Sequence, residues 1–221
     1  PRCGTAVYGS ALSTTSRTWD GAIQGMQLPT SLDEVRVSIN GRAATMYFVS
    51  PGQVNVVAPL DDTTGNVEVT LTNRYGTSPP LQVRKANFLP SFYTAFGDAV
   101  GLQVTGVALD GTYVGKVGVD PRVTRAARPG EIVQIFASGF GPTNPPAPSD
   151  RLFIGAPEVV TRPRITLGGR EATFIGNGLL VGPALYQFNV TIPDVADGDH
   201  AIIAETGGVR SSATVFLSVR R

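Results

Sequence analysis

One cysteine, one histidine, one tryptophan and two lysines are all that 221 residues hold of four residue types central to much protein chemistry. A lone Cys3 excludes an intrachain disulfide, and its ordinary state is an unpaired thiol that leaves the redox compartment open. A lone His200 removes histidine-based triads and the usual zinc sets, so it reads as a surface residue at a strand end. Trp19 stands alone on a turn between Thr14-Thr15-Ser16 and Asp20-Gly21, which makes no aromatic platform for a sugar; core or interface burial is expected. Charged residues are only 16%, and Lys+Arg 18 against Asp+Glu 17 leaves a net charge of +1. That balance offers no basic excess for phosphate neutralisation, so nucleic acid is not an expected partner. Apolar runs are short and interrupted, so membrane insertion is not expected either. Sparse lysine with 26 Gly and 17 Pro leans towards a secreted or cell-surface protein, and a start at Pro1 fits a processed chain or a fragment.

What is abundant is repetition. Val37-Ser38-Ile39-Asn40-Gly41-Arg42-Ala43-Ala44-Thr45 is echoed 128 positions later by Ile165-Thr166-Leu167-Gly168-Gly169-Arg170-Glu171-Ala172-Thr173. Gln53-Val54-Asn55-Val56 returns as Gln187-Phe188-Asn189-Val190, and Tyr8-Gly9-Ser10-Ala11-Leu12 matches Phe136-Ala137-Ser138-Gly139-Phe140. Three blocks in one order mean two copies of a module. The elements within each copy read as strands. Val35 to Ile39 and Val67 to Thr72 alternate apolar with polar, and Asn40-Gly41 or Gly168-Gly169 supplies a tight hairpin turn. No window carries a helical period. Short strands with frequent turn residues predict an all-β chain of two tandem immunoglobulin-like β-sandwich domains, 1–85 and 128–221. Residues 86–127, with Phe88, Phe92, Leu102, Val104, Val107 and Leu109, are too apolar for a flexible linker. They are expected to form an ordered β-rich connector, with a hairpin turning at Asp110-Gly111. Four prolines between Gly141 and Asp150 predict an exposed, stiff loop.

The blocks resemble the Solibacter-type C-terminal domain of secreted acidobacterial proteins. The resemblance rests on Pro129-Gly130-Glu131-Ile132-Val133-Gln134-Ile135-Phe136, on Ile165 to Ala172, and on Tyr186-Gln187-Phe188-Asn189-Val190-Thr191-Ile192-Pro193, with Ser50-Pro51-Gly52-Gln53-Val54-Asn55 as the first copy's version. It implies an immunoglobulin-like fold and export, with no assigned activity. At the offset of 128, Ile132 and Val133 fall opposite Gly4 and Thr5. The first copy is therefore expected to lack an edge or core strand and to expose a groove lined by Val7, Val37 and Val69. A donor strand from upstream, or the terminal segment 213–219 with Val215, Leu217 and Val219, would fill it.

Chemistry is thin. Asp194, Asp197 and Asp199 put three acids on one loop, a weak calcium candidate beside the plain reading of an Asp-Gly turn. Asp61-Asp62 is the poorer equivalent in the first copy. Ser10 and Ser138 lack the Gly-x-Ser-x-Gly setting and read as turn residues. The repeated Gln53/Asn55 and Gln187/Asn189 pairs invite a polar ladder or sugar contact, with backbone hydrogen bonding as the plainer reading. Asn189-Val190-Thr191 is a glycosylation sequon set mid-strand, and Thr143 and Ser149 are the candidates for O-linked sugar. No cofactor and no catalytic residue is expected. The expected role is a non-catalytic extracellular structural protein whose partners are copies of itself, joined head-to-tail by strand donation. The alternative is a carbohydrate- or protein-binding accessory module.

Overall fold

The computed structural model describes residues 4–94, 96–99 and 101–221, so Cys3 lies outside the described residues. The chain is all-β, with 48% strand, several sheets packed together and no helix among the described residues. It divides into two compact units. Unit 1 is Pro1–Asn87 with Pro146–Gly155 and Gly182–Ala184; unit 2 is Phe88–Pro145, Ala156–Val181 and Leu185–Arg221.

Unit 1 has two sheets. One runs in the order β1 (Gly4–Tyr8), β6 (Gln53–Val57), β5 (Thr45–Val49), β2 (Arg17–Thr18). The other runs β4 (Arg42–Ala43), β3 (Arg36–Ile39), β7 (Gly65–Asn73), with β8 (Gly76–Thr77) and β9 (Leu81–Lys85) both paired to β7. Alternation makes them two-faced. Val67, Val69 and Leu71 of β7 are buried while Asn66 and Glu68 are exposed. The buried faces meet in a core that includes Leu32, Val35, Val37, Met46, Val49, Val54 and Val56, with Val7, Trp19 and Val83 half-buried at its margin. The β3–β4 turn has Asn40 and Gly41 at φ 52° and 72°, the left-handed pair that a two-residue hairpin matched to strand twist requires.

Unit 2 repeats this plan. Its strands are β10 (Ser91–Phe92), β11 (Phe96–Gly97), β12 (Leu102–Gln103), β13 (Gly106–Ala108), β14 (Tyr113–Val114), β15 (Ile132–Ser138), β16 (Thr143–Asn144) and β17 (Glu158–Val159). They are followed by β18 (Arg164–Leu167), β19 (Arg170–Phe174), β20 (Leu179–Gly182), β21 (Leu185–Thr191), β22 (Gly198–Thr206), β23 (Val209–Arg210) and β24 (Val215–Val219). The pairing of unit 1 recurs residue for residue. Gly4↔Val57 of β1–β6 answers Ile132↔Thr191 of β15–β21, and Arg36↔Thr72 of β3–β7 answers Arg164↔Glu205 of β18–β22. Gly65↔Lys85 of β7–β9 answers Gly198↔Val219 of β22–β24. Its core carries more aromatic rings: Phe140 lies 4.6 Å from Phe188 and 5.8 Å from Tyr186 between ring centroids.

Unit 2 also has something unit 1 lacks. The segment after Asn87 builds onto its sheets: β10 and β13 pair with β15, β14 closes a hairpin on β13, and β12 runs parallel to β24. The Pro-rich stretch 141–150 is exposed only in part: Pro142, Asn144, Pro145, Pro146 and Asp150 face solvent, but the residues between them do not. Thr143 pairs with Val159 in β16–β17, and Thr143, Ala147 and Ser149 are buried. Prolines forfeit donors but not acceptors: the Pro142 carbonyl takes the Val160 amide and the Pro145 carbonyl takes the Thr143 hydroxyl. Within unit 1, Thr45 Oγ1 donates to the Ser149 carbonyl at 2.9 Å and the Leu28 amide to the Asp150 carbonyl at 2.9 Å. Burial removes Thr143 and Ser149 as sites of O-linked sugar.

Candidate assembly interface

The edges of unit 1 follow from backbone parity. The Gly9 amide donates to the Gly52 carbonyl at 3.2 Å, continuing the β1–β6 register. Antiparallel ladders alternate, so Thr5 and Val7 turn their backbone groups towards β6, and Ala6 and Tyr8 turn theirs away. On the other sheet the Asn40 amide reaches the Glu68 carbonyl at 2.8 Å, which turns Glu68 towards β3 and its neighbours Val67 and Val69 towards β9. Leu81 and Val83, opposite them, face back; Gln82 and Arg84 face out. Among the described residues, no strand pairs the outer side of β1 or β9.

The counterparts in unit 2 are all engaged. The Phe136 carbonyl, at the position of Tyr8, accepts the Tyr93 amide at 2.9 Å, and Gln134, at the position of Ala6, pairs with Val107. The carbonyls of Thr214 and Phe216, at the positions of Pro80 and Gln82, take the Leu102 and Val104 amides at 3.0 and 2.8 Å. Ser218, at the position of Arg84, takes the Ala127 amide at 3.0 Å. Side chains follow the backbone. Leu81 is 62% exposed where Val215 is 5%, and half-buried Val7 and Val83 correspond to Ile135 and Leu217, both fully buried. One flank of unit 1, bounded by β1 and β9, is thus the bare form of a flank that unit 2 covers with its own connector.

This corrects the expected groove. The opening strand is present: Gly4–Tyr8 pairs with β6 along its whole length, and what is missing is the neighbour beyond it. Val37 and Val69 lie in central strands and are buried, so of the three residues assigned to the groove only Val7 borders the flank. Val215, Leu217 and Val219 are core residues of β24, which is already held by β22 on one side and β12 on the other. A strand bonded along both edges has nothing left to donate.

The remaining candidates are dispersed. Asp194 is held by Arg221 at 2.7 Å, Asp197 accepts the Arg221 amide at 3.0 Å, and Asp199 is bound to Lys116 at 2.5 Å. The hydrogen bonds that the Lys116 ammonium donates to Asp199 and Asp98 raise its pKa above the usual range, and Arg221 lowers that of the Asp194 carboxyl. Asp194 and Asp199 are spent on cations of the protein itself and Asp197 on a backbone amide, and no group of three His, Cys, Asp or Glu able to hold a metal occurs among the described residues. His200 Nε2 donates to the Ala196 carbonyl at 2.7 Å, which fixes its proton on that nitrogen. Ser138 is buried at the end of β15, and Ser10 is exposed at a bend. The amide pairs bond to each other rather than to backbone: Gln53 Nε2 to Asn55 Oδ1 at 2.7 Å, and Gln187 Nε2 to Asn189 Oδ1 at 2.9 Å. Trp19 meets Tyr47 edge to face, 4.8 Å between centroids, and packs against the unit 1 core. Asp61 is nearly buried beside Lys85. Burial alone would raise its carboxyl, but the Lys85 ammonium and the Thr63 amide outweigh it and hold it at about 2.

Ala6, Tyr8, Leu81, Gln82 and Arg84 escaped sequence reasoning. Their signal was in the repeat itself, since each aligns with a residue of β15 or β24 that the connector covers. No protein-family model matches the chain, and no curated protein matches it.

Proposed function

We propose that this is a non-catalytic structural protein of an extracellular or cell-surface polymer. Its two immunoglobulin-like sandwich domains serve as an assembly unit, and units join head-to-tail by adding a strand to the open flank of the first domain. One observation carries the reading. The same module occurs twice with the same register, and the copy without a connector leaves two strand edges and an exposed Leu81 unpaired. Unpaired edges recruit strands from other chains, and a contact between unlike surfaces does not close, so it propagates. The resemblance to exported acidobacterial domains supports the extracellular setting.

Negative-stain electron microscopy of native material, beside light scattering over a concentration series, tests this. Ordered fibres and a mass that rises with concentration are expected. A monodisperse monomer at every concentration overturns it. A second reading, a glycan- or protein-binding accessory module, is favoured by the outer face of the β1–β6 pair. There exposed Tyr8 stands opposite Gln53, next to the Gln53–Asn55 amide pair. Glycan-array binding by a chain that stays monomeric would select it.

A further inference from the structure

Resting on that reading, we infer that the partner of the unit 1 flank is a polypeptide arm of the kind formed by residues 101–114, borne by a neighbouring polypeptide. It lays one short strand parallel to β9, crosses the flank, and lays a second antiparallel to β1.

Unit 2 is the template. Its arm runs beside β24 at Leu102 and Gln103, steps across, and returns beside β15 at Val107 and Ala108. The crossing is short, so the two edges of this flank are served by one continuous segment. Backbone groups give the orientation. The arm's Leu102 and Val104 amides bind the carbonyls of Thr214, just ahead of β24, and Phe216, and the equivalent carbonyls in unit 1 belong to Pro80 and Gln82. Val107 pairs with Gln134, and the equivalent residue is Ala6.

Side chains give the chemistry. Val104 is 1% exposed and Ala108 is buried, as is Gln103 beside them, so the arm buries side chains on both of its short strands. In unit 1 the counterparts of buried Ile135 and Leu217 are half-buried Val7 and Val83, which border the open flank, with Leu81 exposed. At the crossing a Cβ on Gly106 would lie 2.3 Å from Val133 Cγ1, and Thr5, at the position of Val133 in unit 1, is β-branched as well, so the return strand begins with a residue that lacks a side chain. The predicted partner is therefore an extended, mostly apolar segment with glycine ahead of its second strand. A second copy's terminal strand does not qualify, since β24 is bonded on both edges.

The test uses the whole chain and a labelled synthetic peptide of residues 101–115, followed by fluorescence anisotropy and by amide chemical shifts. Saturable binding with shifts centred on Ala6, Tyr8, Gln82 and Arg84 is expected. Ala6→Pro removes an outward N–H without touching the bonds to β6, as proline on an edge strand does. It should weaken binding about tenfold or more. Leu81→Lys, at an exposed position that folding does not need, should weaken it as well, so a misfolded Ala6→Pro chain would not leave the idea unexamined. No binding at ~1 mM peptide, or binding indifferent to both substitutions, overturns the inference. Peptide binding by native material that forms no fibres would keep the arm and remove the assembly reading. Fibres that form without any peptide binding at the flank would do the reverse.

Discussion

Gly106→Ala is the sharpest probe of the connector as a built-in part of unit 2. Gly106 opens β13 and does not occupy the left-handed region, so alanine meets no backbone strain there. It meets a neighbour. The added Cβ would stand 2.3 Å from Val133 Cγ1, where carbon atoms settle at about 3.5–4.0 Å. Val133 is fully buried, paired with β13 on one side and β21 on the other, so it cannot withdraw. Overpacking of this kind costs about 1–3 kcal/mol, and the reduced freedom of the unfolded chain returns about 0.4–1 kcal/mol. The net loss is about 1–2 kcal/mol. Val133→Ala alone leaves a void and costs about 2 kcal/mol. Together the two should cost less than their sum by about 1 kcal/mol or more, because the new methyl occupies the vacated space. Urea unfolding followed by far-UV circular dichroism measures all four corners of the cycle. Trp19, the only tryptophan, belongs to unit 1, and its fluorescence transition should stay in place. An additive cycle, or Gly106→Ala within about 0.5 kcal/mol of the parent, would refute the packing argument.

Three further outcomes follow from the same contacts. Tyr186→Phe deletes a buried hydroxyl that donates to the Gly141 carbonyl at 2.5 Å; unit 2 should lose about 1–3 kcal/mol in the same urea assay. Asp61 has a folded pKa of about 2 against 3.8, so its stabilisation is present above pH 4 and lost as pH falls through 2. Acid titration of Trp19 fluorescence should show unit 1 losing about 2 kcal/mol across that window, and Asp61→Asn should flatten the dependence. Asp194→Ala and Asp199→Ala should not alter affinity for calcium, because both carboxylates are committed to protein cations; isothermal titration calorimetry with calcium alone should read no site in either the parent or the variants.

The sequence made one half of the architecture readable and concealed the other. Alternation in Val67–Leu71 and the Asn40-Gly41 turn are local signals, and they became β7 and the β3–β4 hairpin. The repeat carried further: strand pairs of the first copy recur in the second, Gly4↔Val57 as Ile132↔Thr191 and Arg36↔Thr72 as Arg164↔Glu205. What alternation does not encode is where an irregular segment docks. Residues 86–127 show apolar content, but their pairing with β15 and β24 spans long stretches of chain and is decided by which edges are vacant. The Pro-rich stretch reads correctly for its exposed prolines and misleads at Thr143, Ala147 and Ser149, since loss of N–H donors says nothing about carbonyls that can still accept. The candidate site was half legible. The imbalance at the first copy's opening strand was visible in Gly4 and Thr5, while the equal vacancy at β9 emerged only once β24 was seen under its cover.

Hydrogen exchange of native assembled material, resolved to single amides and set against the dissociated chain, bears most directly on the central claim. The account predicts that the amides of Ala6 and Gln82 exchange freely in the dissociated chain and become protected on assembly, to the level expected for Gln134 and Phe216, their counterparts under the connector of unit 2. Assembled material in which those two amides still exchange as in the free chain would contradict it.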